Sequence, residues 1–299
     1  MFNEEVYTTF IHYLRERFLI WKRRKEGSPF PYTGDPILAQ YKFTNVKREW
    51  DRTSQWLIKN WYQPNVHQPL EIQALNCAIA RYFGRIEFLE ELGYQTEWDP
   101  RYILDTAKAR MARKQSVFTG AYIITNQGMT DPKEEVVVNC FLQPYRESLG
   151  ALVDIAQRTK SWQSVAGAMK GLPGMGPFMT KEILLDWILN PVLWDATDTL
   201  TWTPAGPGAI RGLNRLAGLM GQKAVNRGMS QDTALTQMKA LLGMLAQDAG
   251  RLPEDFPQIG VGFGVTDVQF CLCELDKYLR VKLGEGRPRS TFRPNKAPL

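Results

Sequence analysis

The sequence predicts a mainly α protein, a helical bundle of two lobes. Three observations lead there. Apolar residues recur at helical spacing through most of the chain up to about Leu189. Only Val117 to Thr125 has convincing β character. A Gly/Pro hexapeptide, Gly171-Leu172-Pro173-Gly174-Met175-Gly176, sits between two helical patterns as a turn between helices would. With 299 residues, 44% of them hydrophobic, the chain can bury a large core. Residues 1–284 are expected to form one helical domain of two lobes with the hairpin at 171–176, and 285–299 a basic, Pro-rich tail.

Taken in order, residues 1–26 read as an amphipathic helix, with Val6, Phe10, Tyr13, Leu14, Phe18 and Trp21 near helical spacing and Gly27-Ser28-Pro29 as its stop. Pro29 to Pro36 is a loop. A second helical pattern runs from Asp35 or Thr44 to Trp61, and a third from Pro69 to Leu92, capped by Gly93. Asp99-Pro100 opens a helix that runs through Arg113. Residues 134–158 and 161–170 are helical, as is Pro177 to Leu189.

Composition narrows the chemistry. Lys and Arg number 37 against 31 Asp and Glu, a formal +6 that suits a polyanionic partner. Arg15, Arg17, Lys22, Arg23, Arg24 and Lys25 cluster in the first helix, where phosphate contact and a merely solvated face are equally good readings. Arg287, Arg289, Arg293 and Lys296 add a basic tail. Cys77, Cys140, Cys271 and Cys273 have neither CxxC nor iron–sulfur spacing, and with no export signal they are expected to be reduced thiols in a cytoplasm. His12 and His67 alone leave little material for a His-based zinc site or a Ser/His/Asp triad, so catalysis would rest on carboxylates, Lys, Arg or Tyr. No apolar run is long enough to span a membrane.

The hexapeptide at 171–176 resembles the LPGxG hairpin of helix-hairpin-helix DNA glycosylases. Its glycines permit a tight turn, and the N–H groups that open the next helix can bind a DNA phosphate. A turn between two ordinary helices is the simpler alternative. In the glycosylases a catalytic aspartate lies about twenty residues beyond the hairpin, where Asp195 and Asp198 stand here; a cap or turn role would explain either of them too. The lysine of lyase-type glycosylases has no match, since Pro177 and Phe178 follow the hairpin.

Four further stretches narrow the resemblance. They are Tyr41-Lys42-Phe43-Thr44-Asn45-Val46-Lys47-Arg48-Glu49-Trp50-Asp51-Arg52, Phe118-Thr119-Gly120-Ala121-Tyr122, Asp198-Thr199-Leu200-Thr201-Trp202 running on to Gly206-Pro207-Gly208-Ala209-Ile210-Arg211-Gly212-Leu213-Asn214-Arg215, and Cys273-Glu274-Leu275-Asp276-Lys277-Tyr278-Leu279-Arg280. With the hairpin, they resemble the alpha-glutamyl/putrescinyl thymine pyrophosphorylase family of bacteriophage DNA hypermodification, related to the helical domain of 5-hydroxymethyluracil DNA kinases. The resemblance implies a helix-hairpin-helix glycosylase-type fold. It also implies replacement of pyrophosphate on pyrophosphorylated 5-hydroxymethyluracil in double-stranded DNA by a free amino acid, such as glycine, or a polyamine, in an infected bacterial cytoplasm. No GxxxxGK[ST] occurs in the sequence, which disfavours phosphoryl transfer from ATP by this polypeptide.

That chemistry makes demands on the residues. A flipped base needs an aromatic platform, for which Phe43, Trp202 and Tyr278 are candidates, with plain core packing as the alternative. A multiply charged leaving group suits Arg48 and Arg52, one turn apart on a helix, unless they pair with Glu49 or Asp51. A carboxylate must take the proton of the attacking amine, and Asp198 and Glu274 are the candidates; pairing of Glu274 with Lys277 or Arg280 is the structural alternative. Glu182 and Asp186, four apart, could hold a polar group of a pocket or lie on an exposed helix face. Gly206-Pro207-Gly208 reads as a loop entering a helix N-terminus, with Arg211 and Arg215 beyond it. Asn45, Arg48, Arg52, Trp202, Arg211 and Lys277 are thus assigned to the pyrophosphorylated substrate, and Gly174, Gly176, Thr180 and Arg215 to DNA. No motif calls for a cofactor, though carboxylates could hold Mg²⁺ through the pyrophosphate. A monofunctional glycosylase, with Asp198 facing an oxocarbenium ion, and a non-catalytic DNA-binding module supporting a separate kinase are the competing readings.

Overall fold

A computed structural model describes residues 2–120, 123–288, 290–292 and 294. Its helices are α1 (Glu4–Lys25), α2 (Pro36–Gln40), α3 (Arg52–Leu57), α4 (Leu70–Phe83), α5 (Ile86–Leu92), α6 (Pro100–Ala112) and α7 (Lys133–Glu135). There follow α8 (Gln143–Thr159), α9 (Trp162–Met169), α10 (Pro177–Ile188), α11 (Pro207–Leu216), α12 (Gly221–Asn226), α13 (Gln231–Gln247) and α14 (Val265–Lys282). The chain is mainly α, as expected. Among the described residues there is no strand, only the isolated bridges Tyr41–Thr291 and Ile259–Phe263. The chain divides into two units, residues 1–52 with 199–299, and residues 53–198.

In the first unit, α1 starts at the Asn3 cap, whose Oδ1 accepts from Val6 N–H. It buries Phe10, Tyr13, Leu14 and Phe18, each contributing about 1.5–3 kcal/mol of apolar transfer, against α11 and α14. α11 and α14 pack closely on each other. A Cβ at Gly212 would overlap the Leu272 carbonyl, so the glycine lets the two backbones approach closely. α13 lays Ala234, Met238, Leu241 and Leu245 on the same core. The C-terminal segment is partly tied in, with Lys42 N–H donating to Ser290 O and Phe292 N–H to Gln40 O. Arg289, Arg293 and Lys296 lie outside the described residues.

In the second unit, α4 packs on α8 and α10, and α9 on α8 and α10. The core holds a buried polar group: Arg81 forks onto Asp186, and Tyr62 Oη–H donates to Asp186 Oδ2 (2.6 Å). Burial alone would depress the Arg81 guanidinium; the adjoining Asp186 charge reverses the direction.

Several sequence expectations need correction. The helical pattern of 44–61 is broken, because Asp51 adopts ψ 143 between a 3₁₀ turn (Arg48–Trp50) and α3. Arg48 and Arg52 are therefore not one turn apart on one helix. The pattern of 69–92 splits into α4 and α5 at Gly84, which caps α4 with φ 61. The segment 117–125, of which Ala121 and Tyr122 lie outside the described residues, packs as an irregular strap. Phe118 stacks on Phe83 (5.4 Å between ring centres) and Thr119 N–H donates to Phe83 O, so its β-prone residues have a helix end and no partner strand beside them.

Candidate functional site

The hairpin forms in the second unit where the sequence placed it. Met175 N–H closes the turn on Leu172 O (3.1 Å), and Leu172 N–H bonds Met169 O. Gly174 has φ +77, and a Cβ there would lie 2.5 Å from both the Phe141 ring and Tyr82 Oη, so the turn is pressed onto the core and only glycine fits. Gly176 differs: its backbone is extended, nothing lies within 4 Å of where a Cβ would sit, and it is exposed. α10 starts there with Pro177 in its first turn and no side-chain cap at its N-terminus. Thr180, expected to meet DNA, is 4% exposed and donates its hydroxyl to Met175 O (3.2 Å), so it braces the turn.

Asp198 ends the same unit. Its carboxylate accepts from Ser161 Oγ–H (2.7 Å), Trp162 N–H (3.0 Å) and Gln163 N–H (3.0 Å), three donors at the start of α9. Both oxygens are engaged. Asp195 pairs at the surface with Lys160 (3.0 Å). Glu182 and Asp186 do not lie on an exposed face; both are buried, Asp186 in the Arg81 group and Glu182 within 3.4 Å of Lys181.

In the first unit, α1 and α14 pin the 41–52 segment into one shape. Arg17 donates to Thr44 O, Phe43 O and Asn45 Oδ1, and burial depresses its guanidinium from the ordinary value. Asn45, expected to touch substrate, is buried with its amide spent on Arg17 and Trp50 O. Glu274 Oε2 accepts from Thr44 N–H (3.1 Å) and Lys277 Nζ (2.6 Å), while Lys277 also reaches Lys42 O and sits over the Phe43 ring. Its other carboxylate oxygen has no hydrogen bond among the described residues. Arg48 pairs with Asp51 (3.1 Å). Phe43 and Tyr278, offered as stacking platforms, are core residues 6.3 Å apart between ring centres. Trp202 is half-buried, and Arg52 is exposed at the start of α3.

Next along α14, Asp276 is fully buried and gathers three arginines. Arg211 Nε lies 2.8 Å from Oδ2, Arg280 Nε 3.4 Å from the same oxygen, and Arg215 Nε 3.3 Å from Oδ1. Arg215, expected to meet DNA, is fully buried and forks onto Glu285 (3.0 and 2.6 Å), so its guanidinium belongs to the core. The basic run of α1 is also largely absorbed: Lys22 pairs with Asp255, Arg23 with Tyr32 O, Arg24 lies over Tyr32 and Phe292, and Lys25 over Trp21. The sequence clustered these groups in one helix but could not show which of them would find partners.

Lys47 and Asp267, outside the candidate residues, form a further largely buried pair. Lys47 Nζ is 3.1 Å from both Glu49 and Asp267, and Asp267 caps Gly264 N–H (2.9 Å). Burial pushes Asp267 up to about 6, Lys47 offsetting it only in part. Burial would lower the Lys47 ammonium, but the two acids hold it above its ordinary value. The spacing of Gly264 and Asp267 at a helix start was the available clue.

Comparison with known proteins fixes the class. The family model described as the helical domain of 5-hmdU DNA kinase matches residues 4–287, so the chain belongs to that family. It is 29% identical over 226 residues to the 5-hmdU DNA kinase of Bacillus phage SP10, an alignment covering 67% of this chain and 34% of that protein. The chain thus spans about a third of the curated relative it matches. No solved structure matches it. Among the described residues, no helix is long and apolar enough to cross a membrane.

Proposed function

We propose that the protein is a DNA-modifying transferase that replaces pyrophosphate on pyrophosphorylated 5-hydroxymethyluracil with an amine, an amino acid or polyamine, on a scaffold of the helix-hairpin-helix glycosylase type. The observation that carries the DNA-acting part is the hairpin, whose exposed Gly176 leads into an uncapped α10 N-terminus suited to a backbone phosphate. Membership of a family named for a 5-hmdU DNA kinase supports a modified thymine as the target.

In the proposed step the amine forms a C–N bond to the 5-methylene carbon as the C–O bond to pyrophosphate breaks. The nitrogen's surplus proton passes to a carboxylate. Glu274 fits that role better than Asp198, because it retains an oxygen without a donor while Asp198 meets three. Asp198 suits fixed negative charge and the anchoring of α9. Lys277, beside Glu274, and Arg48, in the 41–52 segment that Glu274 contacts, are the cations we assign to the departing anion.

The test is mass spectrometry of nucleosides from DNA carrying pyrophosphorylated 5-hydroxymethyluracil, incubated with the protein and a pool of amino acids and polyamines. A base heavier by one amine is expected. Release of free base would replace this reading with that of a glycosylase. Unchanged nucleosides with DNA still bound would favour a second reading, a non-catalytic DNA-binding unit working with a kinase, which the chain's match to a third of a kinase also supports.

A further inference from the structure

We propose that Arg211 and Arg280, held side by side by the buried Asp276, form a phosphate-binding clamp on the first unit. The charge balance points outward. Asp276 and Glu285 supply two negative charges to Arg211, Arg215 and Arg280, and Arg215 alone reaches both carboxylates. The group thus carries one net positive charge, and it falls on the outer Arg211 and Arg280, since Arg215 is fully buried between Asp276 and Glu285.

Geometry gives the surplus a use. Arg211 donates its Nε–H to Asp276 Oδ2 (2.8 Å), and Arg280 Nε lies 3.4 Å from the same oxygen without hydrogen-bonding it, so the guanidiniums are neighbours. Their side chains remain 30% and 37% exposed, and no acceptor for their terminal N–H groups is found among the described residues. Two adjacent guanidinium forks, both close to the buried Asp276 and one of them hydrogen-bonded to it, match the oxygens of a phosphate. A surface pair without such an anchor would be a solvated face. Asp276 acts through the arginines and is a positioning residue.

The inference deepens the DNA-acting reading, from which it takes only the source of the phosphate: a backbone phosphodiester or the pyrophosphate group. Binding of two probes without turnover separates these sources, and it separates failure here from failure of amine transfer. Duplex DNA is titrated by fluorescence anisotropy at several salt concentrations, and inorganic pyrophosphate by calorimetry, against the wild type, Arg211→Ala, Arg280→Ala, Arg280→Lys and Asp276→Asn. Each alanine variant is expected to bind one probe about tenfold more weakly, in keeping with loss of a charged hydrogen bond. If the probe is DNA, the salt slope falls by about one. Loss confined to DNA assigns the clamp to the backbone; loss confined to pyrophosphate assigns it to the leaving group. Arg280→Lys should recover only part of the affinity, having the charge without the fork. Asp276→Asn should weaken the same probe yet keep the wild-type salt slope, because both arginines retain their charge. Arg211→Ala and Arg280→Ala variants that bind both probes within twofold of the wild type would overturn the proposal, as the two side chains are partly exposed and their loss leaves the Arg215 core pair intact.

Discussion

Glu274 offers one carboxylate oxygen to two donors and keeps the other unengaged, whereas Asp198 spends both on the first turn of α9. The two should therefore respond differently to substitution. Glu274→Gln is expected to cut amine transfer by at least about 10²-fold, the scale of a lost general base, with little change in DNA binding. Asp198→Asn should in addition lower stability by about 1 kcal/mol, as a weakened helix cap does. Paired activity assays and urea melts read both effects; equal melts with equal activity loss would remove the distinction. Elsewhere in the second unit Asp186 is tied to Arg81 and Tyr62 in the core, and Asp186→Ala would take from the buried guanidinium its forked partner and from Tyr62 Oη its acceptor. A loss of about 3–5 kcal/mol is expected in equilibrium denaturation.

At the scale of elements, the hairpin between α9 and α10 separates folding from function within three residues. Gly174 faces Phe141 and Tyr82 at positive φ, so Gly174→Ala is expected to destabilise by about 3 kcal/mol through strain and overlap. Gly176 has an ordinary extended backbone and open space, so Gly176→Ala should leave the melting temperature nearly unchanged. It should still weaken duplex DNA binding severalfold, because a methyl group then stands where the phosphate approaches the α10 N-terminus. Wild-type DNA affinity in Gly176→Ala would take the hairpin out of the interface.

For the molecule as a whole, the excess of 37 basic over 31 acidic residues predicts DNA affinity that falls steeply with salt. It does not predict where the DNA would lie, since in the α1 cluster Arg17 is buried and Lys22 and Arg23 are already paired. Global stability should also carry a pH signature from Asp267. Its carboxyl, ordinarily near 3.8, is pushed up to about 6 by burial. The folded state therefore holds this proton more tightly than the unfolded chain. The resulting stabilisation is fully present below about pH 4 and is lost as pH rises through 6, on the order of 3 kcal/mol in all. Asp267→Asn should flatten that part of the pH profile in urea titrations between pH 4 and 7. An unchanged profile would assign the dependence to other groups.

The amino-acid order by itself determined the helices that have strong local signals. Asn3 and Asp99 cap α1 and α6, Pro177 opens α10, and the apolar stripe of α1 faces the core, all through interactions spanning a few residues. The hairpin was legible for the same reason, since its glycines act within one turn. Only the tertiary structure decided which polar side chains face inward. Arg17 and Arg215 share helical or motif positions with exposed cations, yet each is buried because partners 26 to 70 residues away accept its hydrogen bonds, and Asn45 is buried with its Oδ1 accepting from Arg17, 28 residues away. The same kind of long-range contact gathers Arg211 and Arg215 on Asp276, beside its own helix neighbour Arg280, and places Glu274 against Thr44, 230 residues distant. Spacing along the chain sets the face of a helix, but the partner that face meets is fixed by packing between elements, which no local pattern records.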